Sequence, residues 1–272
     1  MWRIGVAHPR ATPVRLCLVP KPIQSIERAA AILRLLSGPT RRLSLVELTG
    51  ELGLPKGTVY GMLRTLVQVG FVEQDPDSGK YRIGATLLHL GSSYLDGNEL
   101  RTRALNWSDW LAARSRESVR IGTMHEGHVL VVHHVFRPDD SPQALEVGTL
   151  LPAHACAMGK VLLAQNPYVV TELSKTQLAR ITSATITDPY QLSAELEEVR
   201  ERGWAAEIEE LIVGEASCAA PIRDRRGVSV GAIAVSGAVE RVCEKGQPRA
   251  ELVSYVREGA RTISRDLGAI PW

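Results

Sequence analysis

The chain has 272 residues, enough for two ordinary domains each with its own core, and 32 Lys or Arg against 30 Asp or Glu leave a formal charge of only +2. That balance hides an asymmetry: residues 1–84 hold twelve basic and six acidic side chains, a net of +6, so the other 20 basic and 24 acidic side chains leave the rest at −4, which places a polyanion contact in the first third. Four widely spaced cysteines (Cys17, Cys156, Cys218, Cys243) and the lack of any apolar run near the roughly 18 residues of a bilayer span exclude a disulfide scaffold, a paired-cysteine zinc site and a membrane-spanning helix, and point to a reduced, cytoplasmic protein.

In chain order, the first twenty residues carry three arginines, three prolines and no acidic residue. Residues 1–21 are expected to be a disordered basic arm adding non-specific phosphate contacts, or to precede a translation start near Val19. Their apolar stretch VRLCLV is too short, and too interrupted by arginine, for a targeting peptide. Ser25 then caps a helix with Ile26, Ala29, Ala30, Leu33 and Leu36 on its apolar face, closed by Gly38-Pro39. Arg41 and Arg42 follow, within reach of a phosphate backbone.

Ser44 opens the next helix with a Ser-x-x-Glu capping box to Glu47; Leu45, Leu48 and Leu52 mark the apolar face and Gly53 ends it. After a Leu54-Pro55 turn, a second helix runs over Lys56–Gln68, with Val59, Met62, Leu63, Leu66 and Val69 inward. Lys56, Gly57, Thr58, Tyr60, Gly61, Arg64, Thr65 and Gln68 are left outward, and no acidic residue lies between Lys56 and Val72. Cationic donors and hydroxyls without negative charge are what base edges and phosphates require. Phe71–Gln74 and Lys80–Ile83 flank the turn Asp75-Pro76-Asp77-Ser78-Gly79 and read as a hairpin wing. Residues 22–84 are thus expected to form a winged helix-turn-helix. Its candidate DNA contacts are Arg42, Ser44, Lys56, Gly57, Thr58, Tyr60, Arg64 and Lys80.

A linker helix is expected over 85–97 and another helix over Glu99–Ala113, with Leu100, Ala104, Trp107 and Leu111 on one stripe and Leu105 and Trp110 beside it. A helix apolar over more than one stripe suits burial against a second subunit, and two DNA half-sites need a twin. Strands follow at Val119–Met124, Val129–Phe136 and Ala144–Val147, a loop entering a helix at Leu151–Gln165, a charged helix at Gln191–Arg202 closed by Gly203, a hairpin of Ser217–Arg223 and Val228–Ser236, and a last helix at Arg249–Leu267. This is an α+β pattern: residues 98–270 read as a sheet-and-helix sensor domain.

Two places invite chemistry. His154-Ala155-Cys156-Ala157-Met158-Gly159 lies at a helix start, where free amides favour an anion and small residues let a ligand approach, though ordinary helix packing accounts for it equally well. Cys156 near His154 suggests a nucleophile, but no third orienting group is evident and no catalytic residue is assigned. His133 and His134 are adjacent in a strand and point to opposite faces, so with His125, Glu126 and His128 they read as a polar hairpin surface, not a metal site. No cofactor is called for.

The segments IQSIERAAAILRLL, LVELTGELGLPKGTVYGMLRTL, LPAHACAMGKVLLA, GWAAEIEE and GEASCAAPIRDRRGVSVGAIAVSGAVERV, in that order, resemble the IclR family of bacterial transcription regulators, and the resemblance spans nearly everything from Ile23 to Leu267. VVHHVFRPDDS and VERVCEKG are especially similar to the branch that regulates glycerol operons. The resemblance implies a homodimer or a dimer of dimers, operator DNA as partner, and a C-terminal GAF-like domain that binds a small metabolite. Carried over by position, it implies an effector pocket made of the backbone amides of Ala157 and Met158 with Glu207, Ser217 and Ser236. Ala234 stands where some keto-acid binders of the family have a second serine, and Glu215 where an apolar residue is common, so a simple keto-acid fits less well. An anion on the two amides with hydroxyls on Glu207 and Ser236 describes glycerol 3-phosphate. The expected mechanism is an effector that changes the spacing of two reading heads through the helices between Ala85 and Ala113. The reading is a metabolite-responsive regulator, a repressor in the first instance; an activator responding to a small carboxylate, an enzyme using Cys156, and a constitutive DNA-architectural protein stand as alternatives.

Overall fold

The computed structural model describes residues 22–38, 42–166 and 177–270, and the chain divides into two compact units, 1–92 and 93–272. The basic arm expected over residues 1–21, with Cys17, and also Pro39 and Arg41, lie outside the described residues.

In the first unit, α1 (Gln24–Leu36) starts from Ile23, not Ser25: the amides of Ile26 and Glu27 both bond the Ile23 carbonyl, at 2.9 and 3.2 Å, so Ser25 is already inside the first turn. The apolar stripe also begins later than expected. Ile32 and Leu36 are buried with Ala29 and Leu33 beside them, whereas Ile26 is 64% exposed. The helix packs through its second half, so Ile32, at i+3 from Ala29 and i−4 from Leu36, is the core residue.

α2 (Leu45–Leu52) carries both halves of the capping box: Ser44 Oγ accepts from the Glu47 amide at 3.2 Å and Glu47 Oε2 from the Ser44 amide at 2.6 Å. Gly53 ends it at φ 61°, a left-handed conformation that glycine adopts without Cβ strain. α3 (Lys56–Gln68) buries Val59, Leu63 and Leu66, while Val69, expected inward, is the C-cap and 48% exposed. The wing is β1 (Val72–Gln74) paired antiparallel with β2 (Tyr81–Ile83); Asp75 Oδ1 accepts from the amides of Asp77 and Ser78 at 3.0 Å and so shapes its turn. Leu43 exchanges two backbone bonds with Tyr81, at 3.0 and 2.7 Å, which ties the entrance of α2 to the wing. The core is a single cluster of Ile32, Leu36, Leu48, Val59, Leu63, Leu66, Val72 and Tyr81. α4 (Ala85–Asp96) has no buried residue, and the division between the units falls within it.

The second unit begins with α5 (Glu99–Ser115), N-capped by Asn98, whose side chain accepts from the Arg101 amide at 2.9 Å. The strands β3 (Ser118–His125), β4 (His128–Val135), β5 (Leu150–Pro152), β6 (Ala205–Ile208), β7 (Glu215–Arg223) and β8 (Ser229–Ala238) form one antiparallel sheet in the order β5-β4-β3-β8-β7-β6. Between them come α6 (Ala157–Ala164) and α7 (Pro189–Arg202); after them α8 (Val239–Val242), the two-residue strands β9 (Cys243–Glu244) and β10 (Gln247–Pro248), and α9 (Ala250–Asp266). The 144–147 segment, expected as a strand, is not one: Gly148 turns at φ 89° and the strand that pairs with β4 is β5. β6 was not foreseen, because four residues including a glutamate carry no strand period of their own; pairing with β7 makes it the sheet edge.

Alternation along the strands separates two cores. Ala216, Cys218, Ala220 and Ile222 of β7, with Ile233 and Val235 of β8, pack against α5 and α9. Ala219, Ala232 and Ala234 face the other way, under α6 and α7. Each fully buried Leu, Ile or Val stabilises by roughly 1.5–3 kcal/mol, so these two layers hold the sheet as a fixed platform. The small side chains on the α6 face let that helix come close. At Gly159 a Cβ would lie 2.1 Å from the Ala153 carbonyl oxygen, so only glycine permits the approach. No helix among the described residues is long and apolar enough to cross a membrane.

Candidate nucleic-acid interface and effector site

Packing of Val59, Leu63 and Leu66 inward turns the opposite face of α3 to solvent, and Lys56, Gly57, Thr58, Tyr60 and Arg64 are all exposed there. Among the described residues neither Lys56 nor Arg64 has an acidic partner within ion-pair distance, so both cations are available. Gly57 and Gly61 meet nothing within 4 Å where a Cβ would stand. The remaining three candidates are tied. Arg42 lies 3.2 Å from Asp75, Lys80 lies 3.9 Å from Glu47, and the Ser44 hydroxyl accepts the α2 cap bond. Both ion pairs are exposed and worth little, so a phosphate can replace the carboxylate at small cost. Lys80–Glu47 joins the wing to α2, and Arg42–Asp75 joins the wing turn to the segment that precedes α2.

In the second unit the cross-strand register sets Glu207, Ser217 and Ser236 side by side on β6, β7 and β8, with Ser118 of β3 next in the row. Glu207 Oε1 accepts from Ser217 Oγ at 3.0 Å and Oε2 from the Glu210 amide at 3.1 Å. Burial pushes the Glu207 carboxyl up to about 7, although both bonds favour the charged form. Ala157 and Met158 are buried in the first turn of α6, whose amides have no intrahelical acceptor. Cys156 caps that helix, its Sγ accepting from the Gly159 amide at 3.4 Å, and its thiol feels the charges of Glu207, Lys160 and Arg120. The five residues named from the sequence therefore converge on one region of the sheet face. Of the five, Ser236 lines a 440 Å³ cavity at that end of the sheet.

Four further charged residues, Arg120, Glu146, Lys160 and Glu210, belong to this region and were not singled out from the sequence. Arg120, a neighbour of Ala234 in register, donates through Nη1 to Ser236 Oγ at 3.1 Å and through Nη2 to Glu146 at 2.7 Å. Lys160, on the otherwise apolar α6, is 1% exposed and ion-pairs with Glu210 while donating to the Ala206 carbonyl at 3.3 Å. Burial raises the Glu210 carboxyl against the lowering influence of that lysine. Lone cations in RIGT and AMGKVLLA were the available signals, since an unneutralised charge in an apolar run demands a partner.

Residues 25–76 match the family description "IclR helix-turn-helix domain", and residues 92–265 match "Bacterial transcriptional regulator IclR C-terminal". The chain belongs to the IclR family. This IclR-type protein is a DNA-binding transcriptional regulator with an effector domain behind its helix-turn-helix. It is 54% identical, over 247 residues, to the glycerol operon regulatory protein of Streptomyces coelicolor, covering 91% of this chain and 97% of that one. A glycerol operon regulatory protein of Streptomyces griseus is 53% identical over the same 91% and 97%. Among solved structures, a transcriptional regulator from Alicyclobacillus acidocaldarius matches with a TM-score of 0.78 at 27% identity, covering 91% of this chain and 100% of that one. An IclR homolog from Microbacterium hydrocarbonoxydans, complexed with 4-hydroxybenzoate, matches with a TM-score of 0.75 at 26% identity over 89% and 98%.

The relatives of this IclR regulator are transcription factors, not enzymes, and the Cys156 environment agrees with that. Burial pushes its thiol up to about 12, so no useful thiolate forms near neutral pH. His133 and His134 do face opposite sides: His133 pairs with Ile121 on the α5 face and His134 with Arg120 on the α6 face, despite a bulge in β4. Among the described residues no group of three metal-ligating side chains comes together.

Proposed function

We propose that this regulator is a repressor of a glycerol-type catabolic operon, and that glycerol 3-phosphate relieves or tunes its operator binding. The observation that carries this reading is the 54% identity to the Streptomyces coelicolor glycerol operon regulatory protein along 91% of the chain. The α3 face reads the major groove through Lys56, Gly57, Thr58, Tyr60 and Arg64, while Arg42, Ser44 and Lys80 touch the flanking phosphates. Residues 22–84 act as the reading head, 85–97 as the linker helix and 98–270 as the effector domain, in a cytoplasmic protein.

The effector's phosphate sits on the first-turn amides of α6 at Ala157 and Met158, and its hydroxyls bond Glu207, Ser217 and Ser236. A Glu207 carboxyl raised to about 7 supports the pairing, because a half-protonated acid repels a nearby phosphate less than a full carboxylate does. The regulator acts as a homodimer or a dimer of dimers. Support comes from α4, which buries nothing and exposes Leu88, Leu90 and Tyr94 at 78%, 51% and 55%.

Two measurements test the reading. Calorimetry of the full chain with glycerol 3-phosphate, glycerol and pyruvate should show binding of the first; binding of pyruvate alone removes glycerol 3-phosphate as effector. Retention of a glycerol-operon promoter fragment should fall steeply with salt and change on adding the phosphate ester. A folded protein that retains no promoter fragment ends the operator assignment.

A further inference from the structure

The 440 Å³ cavity is lined by Ser118, Arg120, His134, Glu146 and Ser236 among others. Of its three arginines, Arg137 and Arg241 are the more exposed, each paired with its own acid, Asp139 and Glu117. Arg120 is different: it is 9% exposed, and both of its Glu146 contacts are short, Nε lying 2.6 Å from Oε2 and Nη2 donating to Oε1 at 2.7 Å. Nη2 makes the hydrogen bond to that carboxylate, whereas Nε, though close to Oε2, is buried and among the described residues has no hydrogen-bond partner, so the guanidinium keeps an unsatisfied donor. The carboxylate here comes from a loop and is not part of the sheet.

His134, the cross-strand neighbour of Arg120, adds an independent observation. Its Nδ1 accepts from the Glu146 amide at 3.3 Å, which leaves the ring proton on Nε2. Nε2 is buried and, among the described residues, has no hydrogen-bond partner, on a side chain 9% exposed. Burial and the neighbouring Arg120 hold the imidazolium pKa down to about 4, so the ring is a neutral donor at physiological pH. A buried N–H without an acceptor costs about 1–3 kcal/mol and marks where an acceptor atom belongs.

We propose that Arg120 is the anion-recognition residue of the effector cavity, with His134 Nε2 as a second donor, and that Glu146 is the chain's own occupant of the guanidinium. An effector carrying a carboxylate or phosphate then binds by exchanging for the Glu146 carboxylate, which frees the loop that Glu146 pins. The inference rests on the proposed effector domain and adds to the α6 amides the full positive charge that a phosphate ester needs. Arg120 bonds Ser236, the register neighbour of the Ser217 that donates to Glu207, which joins the arginine to the row of the proposed effector site.

The test is calorimetry on the full chain with glycerol 3-phosphate and glycerol, comparing wild type, Glu146→Gln, Arg120→Gln and the double variant. Glu146→Gln leaves a buried guanidinium with no counter-charge, so it should tighten the phosphate ester about tenfold; Arg120→Gln should weaken it at least about tenfold. Glycerol, which has no anion, should not follow either change. The double variant restores neutrality in the cavity and should keep the weak binding, which separates lost recognition from misfolding. Should wild type bind no glycerol 3-phosphate, the effector assignment fails, and the same variants are read with inorganic phosphate and pyruvate. An anion held by wild type and lost in Arg120→Gln supports the proposal. Anion affinities unchanged in Glu146→Gln, or no binding of any of the three anions, overturn it.

Discussion

The two units use charge in opposite ways. In the first, the groups proposed to meet DNA stand on α3, the wing and the entrance of α2, and the eight-residue core of that unit contains no ionisable side chain except the tyrosine phenol. In the second, Arg120, Lys160, Glu207 and Glu210 are all buried against the sheet, between strands and helices that the apolar layers hold in place. An exposed charge is solvated and indifferent to its neighbours until DNA arrives. A buried one must be satisfied at all times, so its partners are part of the fold. The difference teaches that the first unit separates stability from recognition, whereas the second combines them.

The largest expected break in that comparison is Lys160→Met. It strands Glu210 as a buried carboxylate and should cost about 3–5 kcal/mol, while Arg42→Ala, which opens the exposed pair with Asp75, should cost at most about 1 kcal/mol. Four of the five tryptophans (Trp107, Trp110, Trp204, Trp272) belong to the second unit, so urea unfolding of a Trp2→Phe background followed by indole fluorescence reads that unit, and circular dichroism reads both. Equal losses from the two substitutions would erase the distinction.

Glu207→Gln sharpens it. The folded carboxyl is raised to about 7 from 4.5, so the folded state holds its proton more tightly than the unfolded chain does. Wild type therefore loses stability as pH rises from the unfolded value through the folded one. The variant, which has no proton to lose, should be more stable than wild type by on the order of 3 kcal/mol at pH 8. That advantage should vanish below about pH 4.5, and effector affinity should drop at both pH values. A difference independent of pH would mean that Glu207 is not titrating.

Smaller effects belong to the first unit. Arg64→Ala should weaken operator binding by about 1–3 kcal/mol with the indole unfolding curve and effector affinity unchanged; loss of both binding functions would indicate misfolding instead. Gly61→Ala should stabilise the helical signal by about 0.5–1 kcal/mol, since no neighbour meets the added Cβ. The same change should weaken the operator complex, because a methyl on the exposed face of α3 intrudes on the DNA. Unchanged operator affinity would show that Gly61 does not face the duplex.

By itself, the sequence determined the helix-turn-helix and its wing, the bounds of α3, the capping box, the outward row from Lys56 to Arg64, and the α+β character of the rest. These are local properties: a cap, a 3.6-residue period and a turn are each written within a dozen neighbouring residues. It also misplaced what depends on packing, such as the start of α1 and the exposure of Ile26 and Val69, since which turn of a helix touches its neighbours is settled by those neighbours. Only the tertiary structure decided that Arg120 meets Glu146 and Ser236, that Lys160 meets Glu210, and that the strand beside β4 is Leu150–Pro152 and not the 144–147 segment. Those partners lie 26 to 116 residues apart along the chain, and the packing of loops and α6 against the sheet, not sequence period, brings them together.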